Sequence, residues 1–332
     1  KGISRDIIFY LNKLCFPIRL SALYPYAEIK NNPLLLYSLV ALIILLAGVI
    51  ISRRYSKKVI LGSGLFLMMV FPAIRFLPLD EVLAADRYIY LPAIGIFYLF
   101  AEGFSWLYRR GTGSYRFIRI FLAIALAGIV LFLGHSTWKR NQVWKDSLSL
   151  WNDVLKNYPD TATAYINRGE FFLIKGEYNK AHSDFITVLN LDPNCYEAYF
   201  NLAILCDSLG NYNDAIRLAN KALQINPAYL KTHNLLTVLY GKIGKHSVAI
   251  DICKNLIKIK PDSVEAYFNL CSAYGKLGNF QEAIVYGKKA VAINPSWALA
   301  HINLSAAYYY TKQYDLAIKH CDKAIKLGYK VS

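Results

Sequence analysis

The chain has 332 residues, of which 55% are apolar and only 18% are charged. That composition excludes an intrinsically disordered chain and argues against a wholly soluble globule, because soluble domains carry about 25% charged residues. The formal charge is +16, with 17 basic and 6 acidic residues in 1–144 against 21 and 16 in the remainder. The basic excess lies among apolar runs, which favours a membrane protein over a nucleic-acid-binding one.

The first segment, residues 1–32, carries apolar side chains on one helical face and is too short and too charged to cross a membrane. It predicts an amphipathic helix in the membrane interface, ended or kinked by Pro17. The chain begins with Lys1 and shows no cleavable signal sequence. We interpret it as the C-terminal piece of a longer polypeptide.

Four apolar stretches follow within a predicted membrane domain, residues 33–135. Each has close to the ~20 residues that a helix needs to cross the hydrocarbon core, and the alternative is four buried helices of a soluble protein. The predicted spans are about 33–51, 59–77, 88–107 and 117–134.

The charges of the loops predict how these spans are oriented. The loops after the first and third spans are basic, whereas the loop between the second and third, LPLDEVLAADR, is acidic. The positive-inside rule then places the basic loops in the cytoplasm. The chain after His135 is therefore expected outside the cytoplasm, which means the periplasm in a bacterium.

Proline recurs every 34 residues in the second half of the chain, which is the period of the tetratricopeptide repeat. The five positions are Pro159, Pro193, Pro227, Pro261 and Pro295. Alignment on them defines five helix-turn-helix units, 162–195, 196–229, 230–263, 264–297 and 298–331. The sequence thus predicts an all-α protein, in which the C-terminal transmembrane helices of a polytopic membrane protein precede a tetratricopeptide-repeat α-solenoid over 162–332.

Small residues recur where the two helices of a unit should cross closely. They occupy the eighth position (Gly169, Ala203, Thr237, Cys271, Ser305) and the twentieth (Ala181, Ala215, Ala249, Ala283, Ala317). Glycine occupies the turn of the first four units, where a positive φ is tolerated, and Lys312 replaces it in the fifth. The repeat cysteines lie on inward-facing positions without zinc-like spacing, so we expect core thiols, no metal site and no disulfide.

The linking segment, residues 136–161, places Trp144, Leu148, Trp151 and Leu155 on one helical face and ends in phase with the units. We interpret it as a half unit, the second helix of a repeat whose first helix is replaced by the fourth span. Its tryptophans could instead anchor the chain at the membrane surface, and the two roles are compatible.

The first helix of each unit lines the concave side of such a solenoid. Its sixth position holds asparagine in four of the five units: Asn167, Asn201, Asn269 and Asn303. Because an amide side chain both donates and accepts, this row is a candidate grip for an extended peptide backbone, with Phe200 and Phe268 as apolar contacts. The alternative is that asparagine belongs to the repeat consensus and is solvated.

The predicted outer loop offers a second candidate site in the sequence ADRYIYLPAIG. Arg87 could bind a lipid phosphate in a bidentate manner, Asp86 could orient that arginine or contact a substrate hydroxyl, and Tyr88 and Tyr90 lie beside it. The alternative is ordinary anchoring by arginine and tyrosine at the interface. The sequence contains no nucleophile, P-loop or metal-ligand motif, so no catalytic residue is assigned.

Three segments together, FPIRLSALYPY, ADRYIYLPAIG and WKDSLSLWNDVLKNYP with the units after it, resemble the C-terminal part of the transmembrane-and-tetratricopeptide-repeat protein family. Its characterised members are protein O-mannosyltransferases of the C-type glycosyltransferase superfamily. The resemblance implies a polyprenyl-phosphate-linked sugar as donor, used on the outer or luminal face. It also implies catalytic acids in an early outer loop that has no counterpart here, so whether this chain is an enzyme stays open.

Three functions remain open at this point. The first is the C-terminal fragment of a membrane glycosyltransferase, whose extracytoplasmic repeats bind a protein acceptor or partner. The second is a non-catalytic, membrane-anchored tetratricopeptide adaptor for assembly of an envelope complex, and the third is a polysaccharide ligase or polymerase with appended repeats. The expected partners are membrane lipid and a protein or peptide in the repeat groove, with no nucleic acid.

Overall fold

The computed structural model describes residues 21–22, 24–25, 47, 50, 57–70, 82–84, 90–110 and 116–330. It contains two compact units, Lys1–Ala164 and Tyr165–Ser332. The predicted interfacial helix within 1–32 and the predicted first span at 33–51 lie almost entirely outside the described residues.

A short antiparallel ladder is the exception to the predicted all-helical architecture. Strand β1 (Tyr24–Pro25) pairs with strand β2 (Val82–Ala84). Tyr24 is buried, its hydroxyl accepts a hydrogen bond from the Ser21 backbone amide at 2.9 Å, and its ring packs edge-on against Tyr158. The pairing joins two short segments far apart in the chain, so no period in the sequence could indicate it.

Helices α1 (Lys57–Val70) and α2 (Tyr90–Arg110) pack closely through glycine. A Cβ atom on Gly95 would lie 2.5 Å from the carbonyl oxygen of Gly62 and 2.5 Å from the amide nitrogen of Phe66. Only a residue without a Cβ atom allows the two backbones this separation. Close packing through small residues is the usual way in which helices associate in a membrane.

Glu102 lies inside the predicted third span, where an acidic side chain calls for an explanation. In the structure its carboxylate is 2.7 Å from the Nζ atom of Lys58. Lys58 lies at the start of α1 and Glu102 in the second half of α2, so the two helices run antiparallel. Because both side chains are partly exposed, the ion pair contributes little to stability and chiefly shows which ends of the helices meet.

Helix α3 (Arg116–Asn141) contains the predicted fourth span. With the turn after it, Ile120–Trp144 is the one helix among the described residues that is long and apolar enough to cross a membrane, and its apolar window is not buried against other parts of the protein. Helix α1 has 14 residues, fewer than the ~20 that a crossing needs, and the apolar part of α2 is Ala93–Trp106. The structure thus offers one candidate span, and the set of four stays a prediction.

The segment after α3 is helical, as its spacing predicts. One 3-10 turn (Gln142–Trp144) leads into α4 (Ser147–Asn157), whose first turn is capped by the carboxylate of Asp146. Arg140 in the last turn of α3 forms an ion pair with Asp153 on α4, and both side chains are partly buried. This ion pair holds the two helices together at their junction.

Ten helices make up the repeats over residues 162–326, a range that the structure describes completely, and they form the all-helical tetratricopeptide solenoid that the prolines predict. The first helices of the units are α5 (Ala162–Ile174), α7 (Tyr196–Ser208), α9 (Leu230–Lys242), α11 (Val264–Lys276) and α13 (Ala298–Tyr310). The second helices are α6 (Tyr178–Leu191), α8 (Tyr212–Ile225), α10 (His246–Ile259), α12 (Phe280–Ile293) and α14 (Tyr314–Lys326).

The small residues expected at the crossing of the two helices lie in the core. All five alanines at the twentieth position are buried. In the first unit a Cβ atom on Gly169 would come within 2.5 Å of the Phe185 ring, which leaves room for glycine alone. In the fifth unit the Ser305 hydroxyl donates a hydrogen bond of 2.7 Å to the carbonyl oxygen of Ala317. These contacts confirm the close crossing at both positions.

The turns between the two helices of a unit require a left-handed backbone. The φ angles lie between +75° and +77° at Gly176, Gly210, Gly244 and Gly278. Lys312 adopts φ +60° at the same turn of the fifth unit, in a region that costs an L residue about 1–2 kcal/mol. The turn geometry is therefore kept even where glycine is absent.

Replacing Lys312 with glycine should stabilise the fifth unit by about 0.5–1 kcal/mol, because the steric cost of the left-handed conformation exceeds the entropy that glycine adds to the unfolded chain. Hydrogen exchange in the full chain measures the change, at the α13 and α14 amides for Lys312→Gly and at the α11 and α12 amides for Gly278→Ala. Gly278→Ala is the matched control, since a Cβ atom there meets nothing within 4 Å and only the φ angle opposes it. It should destabilise its unit by about 1 kcal/mol. Equal protection in Lys312→Gly and the parent chain would contradict the prediction.

Gly95→Val should separate α1 from α2, because its side chain would overlap the backbone of α1. Gly103→Val, on the same helix, is the control, since a Cβ atom on Gly103 meets nothing within 4 Å. A zero-length carbodiimide crosslink between Lys58 and Glu102 reports the separation in the full chain. We expect the crosslink in the parent chain and in Gly103→Val, and a severalfold loss in Gly95→Val. An undiminished crosslink in Gly95→Val would show that the glycine contact is dispensable.

Candidate peptide-binding groove

The predicted asparagine row lies at one register position of four first helices, but its members differ in exposure. Asn167, Asn269 and Asn303 are half-buried, whereas the Asn201 side chain is only 3% exposed. The Nδ2 atom of Asn201 donates a hydrogen bond of 3.0 Å to Glu170 on the preceding unit. Asn201 therefore links two units, and the other three present amide groups that are partly open to solvent.

The two predicted apolar contacts, Phe200 and Phe268, are half-buried, and each packs against the last residue of its own unit. The Phe200 ring lies edge-on to Tyr229 with 5.3 Å between ring centroids. The centroid of the Phe268 ring lies 4.5 Å from that of the Trp297 ring. The two contacts are equivalent, because Tyr229 and Trp297 each directly precede the first helix of the next unit. Burial raises the pKa of Tyr229 to about 12. Both phenylalanines thus pack against a neighbouring aromatic ring and stay partly exposed.

Hydrogen bonds to the inter-unit prolines recur at the fourth position of the units. The Tyr267 hydroxyl donates to the Pro261 carbonyl oxygen at 3.0 Å. The Nε2 atom of His233 lies 2.9 Å from the Pro227 carbonyl oxygen, which can only accept, so that nitrogen carries the proton. The bond explains why either tyrosine or histidine can occupy this position, because both side chains carry a donor that reaches the proline carbonyl.

Lysine packs over tyrosine between neighbouring units, a contact that the sequence analysis did not anticipate. The Nζ atom of Lys254 lies 5.8 Å from the ring centre of Tyr274, and that of Lys288 lies 5.9 Å from the ring centre of Tyr308. Both pairs join the same two positions of successive units. Such cation–π contacts contribute about 0.5–1 kcal/mol at exposed sites, so they help to fix the stacking of the units.

The described cysteines are free thiols and lie in or beside the repeat core. Burial raises the pKa of Cys253 to about 11 and that of Cys271 to about 12. A thiol with such a pKa is protonated at neutral pH and is a poor nucleophile. These two residues are therefore packing residues, as the register predicts.

A histidine pair closes the fifth unit. His301 is buried, and its Nε2 atom donates to the carbonyl oxygen of Pro295 at 3.1 Å. Its Nδ1 atom lies 2.9 Å from Nδ1 of His320 and, since Nε2 is the donor to Pro295, accepts a hydrogen bond from the His320 ring there. His301 is thus a core residue of the fifth unit.

The outer-loop candidates cannot be placed in the same way. Arg87, Asp86 and Tyr88 lie outside the described residues, and Tyr90 is the first residue of α2. Their assignment to lipid phosphate or substrate stays a prediction.

Family models for the tetratricopeptide repeat match residues 160–228, 264–296 and 298–327. The second half of the chain thus consists of tetratricopeptide repeats, which agrees with the proline period and with the helices observed.

The relatives of the chain are protein O-mannosyl-transferases that contain such repeats. The chain is 30% identical over 151 residues to protein O-mannosyl-transferase Tmtc1 of Drosophila melanogaster, and 28% identical over 158 residues to TMTC1 of Homo sapiens. Each match covers 46% of this chain and 17% of the relative, so the matched part spans about a sixth of the length of these curated relatives. The predicted resemblance is confirmed over that part.

Solved structures with similar repeats include the crystal structure of MamA. It is 26% identical, with a TM-score of 0.44, and the match covers 48% of this chain and 93% of that one.

The histidine pair predicts that the fifth unit loses stability in acid. Burial, the neighbouring His301, and the charges of Lys319 and Lys288 lower the pKa of His320 from its ordinary value of 6.5. The unfolded chain therefore binds more protons than the folded one as the pH falls below 6.5, and stability falls with it.

Hydrogen exchange of the α13 and α14 amides in the full chain, corrected for the intrinsic effect of pH, should show less protection at pH 5.5 than at pH 7.5. His320→Phe should remove this difference, and His182→Phe, at an exposed position of α6, should leave it unchanged. Equal protection at the two pH values would contradict the prediction that the histidine pair destabilises the fifth unit in acid.

Proposed function

We propose that the chain is the acceptor-binding, membrane-attached part of a glycosyltransferase that takes its sugar from a polyprenyl-phosphate carrier. The observation that carries this proposal is the relationship to protein O-mannosyl-transferases over 46% of the chain. The unburied apolar helix Ile120–Trp144, directly before the linking helix and the repeats, supports attachment to a membrane. The acceptor in this proposal is a protein segment held in the repeat groove.

The repeats suit an extended peptide better than a folded surface. Asn167, Asn269 and Asn303 recur at one helical position, so they present similar amide groups along the row. Each amide can donate to a carbonyl and accept from an amide of a peptide backbone without reading its sequence. Since one such bond contributes only about 0.5–1.5 kcal/mol, binding needs several of them together. The Asn201–Glu170 bond keeps two units in register, and the half-buried Asn269 and Asn303 are the members of the row that the proposal offers to the ligand.

In this proposal the membrane part is polytopic, with the four predicted spans, and the repeats lie outside the cytoplasm. The ion pair between Lys58 and Glu102 supports the paired arrangement, because it joins the ends of α1 and α2 that the basic loops predict to be cytoplasmic. The opposite end of the pair leads to the loop that contains Arg87.

The carrier phosphate is assigned to that outer loop. Arg87 offers a planar guanidinium that binds a phosphate through two hydrogen bonds, and Asp86 orients it. Tyr88 and Tyr90 are suited to the lipid interface, where an aromatic ring and a hydroxyl meet apolar and polar surroundings. The lipid-linked sugar is the substrate in this scheme, and the catalytic groups lie elsewhere in the enzyme.

Transfer of labelled mannose from its polyprenyl-phosphate carrier to membrane proteins tests the proposal in the full-length protein. Arg87→Ala should lower transfer by at least about tenfold, which corresponds to ~1.4 kcal/mol of lost phosphate binding. Arg87→Lys should recover part of it, because lysine keeps the charge but not the bidentate geometry. Arg53→Ala, in a predicted cytoplasmic loop, is the control and should leave transfer unchanged.

Two results would overturn the proposal. The first is unchanged transfer in Arg87→Ala, which removes the role of the loop. The second is that the repeats resist protease added outside intact spheroplasts but are cleaved when protease reaches the cytoplasmic side. The repeats would then lie on the wrong side of the membrane to present an acceptor to the lipid-linked sugar.

A further inference from the structure

The first helix of the fifth unit, α13, differs from the other four in charge. Its sequence, ALAHINLSAAYYY, contains no charged residue, whereas α5, α7, α9 and α11 each contain two. It also exposes three large apolar side chains, with Tyr309 60% exposed, Tyr310 62% exposed and Leu299 47% exposed. Clusters of exposed apolar side chains of this kind mark interaction sites.

The exposed tyrosines form one rigid aromatic cluster with neighbouring helices. The Tyr309 ring packs edge-on against Tyr310 at 5.7 Å and against Tyr314 at 5.8 Å between ring centroids. The Tyr310 ring stacks on Phe280 of the preceding unit at 4.5 Å, with 11° between the ring planes. Because the rings already pack against one another, these side chains lose little conformational entropy when a ligand covers them.

An uncharged stripe runs along α13 beside this cluster. Leu299, Asn303, Ala306 and Tyr310 are spaced four, three and four residues apart, so they lie on one face of the helix. The stripe is about 16 Å long, the length of roughly five residues of extended peptide. Its one amide, Asn303, lies near the middle and belongs to the asparagine row described above.

We propose that this stripe, with Tyr309 and Tyr314 beside it, binds an extended peptide segment of about five residues that has apolar or prolyl side chains and no charge. The inference rests on the proposed function and specifies the acceptor. Because α13 carries no charge, a charged side chain of the ligand would be desolvated there without gaining an ion-pair partner. An uncharged segment therefore binds more tightly. The amide of Asn303 selects a peptide, because it can bond the backbone while the tyrosines and Leu299 contact the side chains.

Fluorescence polarisation of labelled ten-residue peptides tests the inference on the full chain in lipid nanodiscs. One peptide contains proline, valine, serine and threonine, and the other two are the same peptide with two lysines or two aspartates. The parent chain should bind the uncharged peptide at least about tenfold more tightly than either charged one. Tyr310→Ser should weaken the uncharged peptide by about tenfold. Ile318→Ser, which alters a similarly exposed apolar residue on α14, should not change binding.

Ala306→Glu provides a second readout that does not depend on removing packing, because Ala306 is exposed. It should weaken the uncharged peptide and strengthen the lysine peptide. If Asn269→Ala weakens binding but Tyr310→Ser and Ala306→Glu do not, the inference fails and the proposed function stands. If the parent chain binds no peptide, or if mannose oligosaccharides alone bind the stripe, both are overturned. If Tyr310→Ser only dissociates a dimer of the chain, the stripe is a self-contact and the inference fails.

Discussion

The close crossing of the two helices in each repeat is the constraint on which the rest of this solenoid depends. Five alanines at the twentieth position are buried, Ser305 at the eighth position bonds the Ala317 carbonyl oxygen, and at Gly169 the Phe185 ring leaves no room for a Cβ atom. Once that crossing is fixed, every first helix presents the same positions to the groove. The asparagine row is a row only because the core beneath it repeats with the same geometry.

Features that repeat with the 34-residue period could be predicted from the sequence, because each copy confirms the others. The left-handed turns and the buried alanines are of this kind. Contacts that depend on one particular neighbour could not be predicted. Asn201 has the same repeat position as Asn269, but it is buried because residue 170 on the unit before it is a glutamate that accepts its amide hydrogen. In the same way, the His301–His320 contact needs two histidines that do not recur together in any other unit.

The same distinction holds in the N-terminal half of the chain. Hydropathy alone located α3, because a long apolar run needs no partner to be recognised. It could not show that α1 and α2 meet through Gly95 and that Lys58 lies opposite Glu102, since both contacts depend on the antiparallel pairing of two helices. Glu102 is thus accounted for by its ion pair with Lys58.

The fifth unit departs from the repeat pattern at several places that lie close together. Lys312 keeps a left-handed turn without glycine, and α13 has lost the charges that the other first helices retain. Neither change improves the packing of the unit: the first adds strain, and the second exposes tyrosine to water. Local departures that cost stability without improving the fold are where function is expected. These departures are the reason for assigning the proposed choice among acceptor segments to the end of the solenoid, and the proposed sequence-independent contacts to the asparagine row before it.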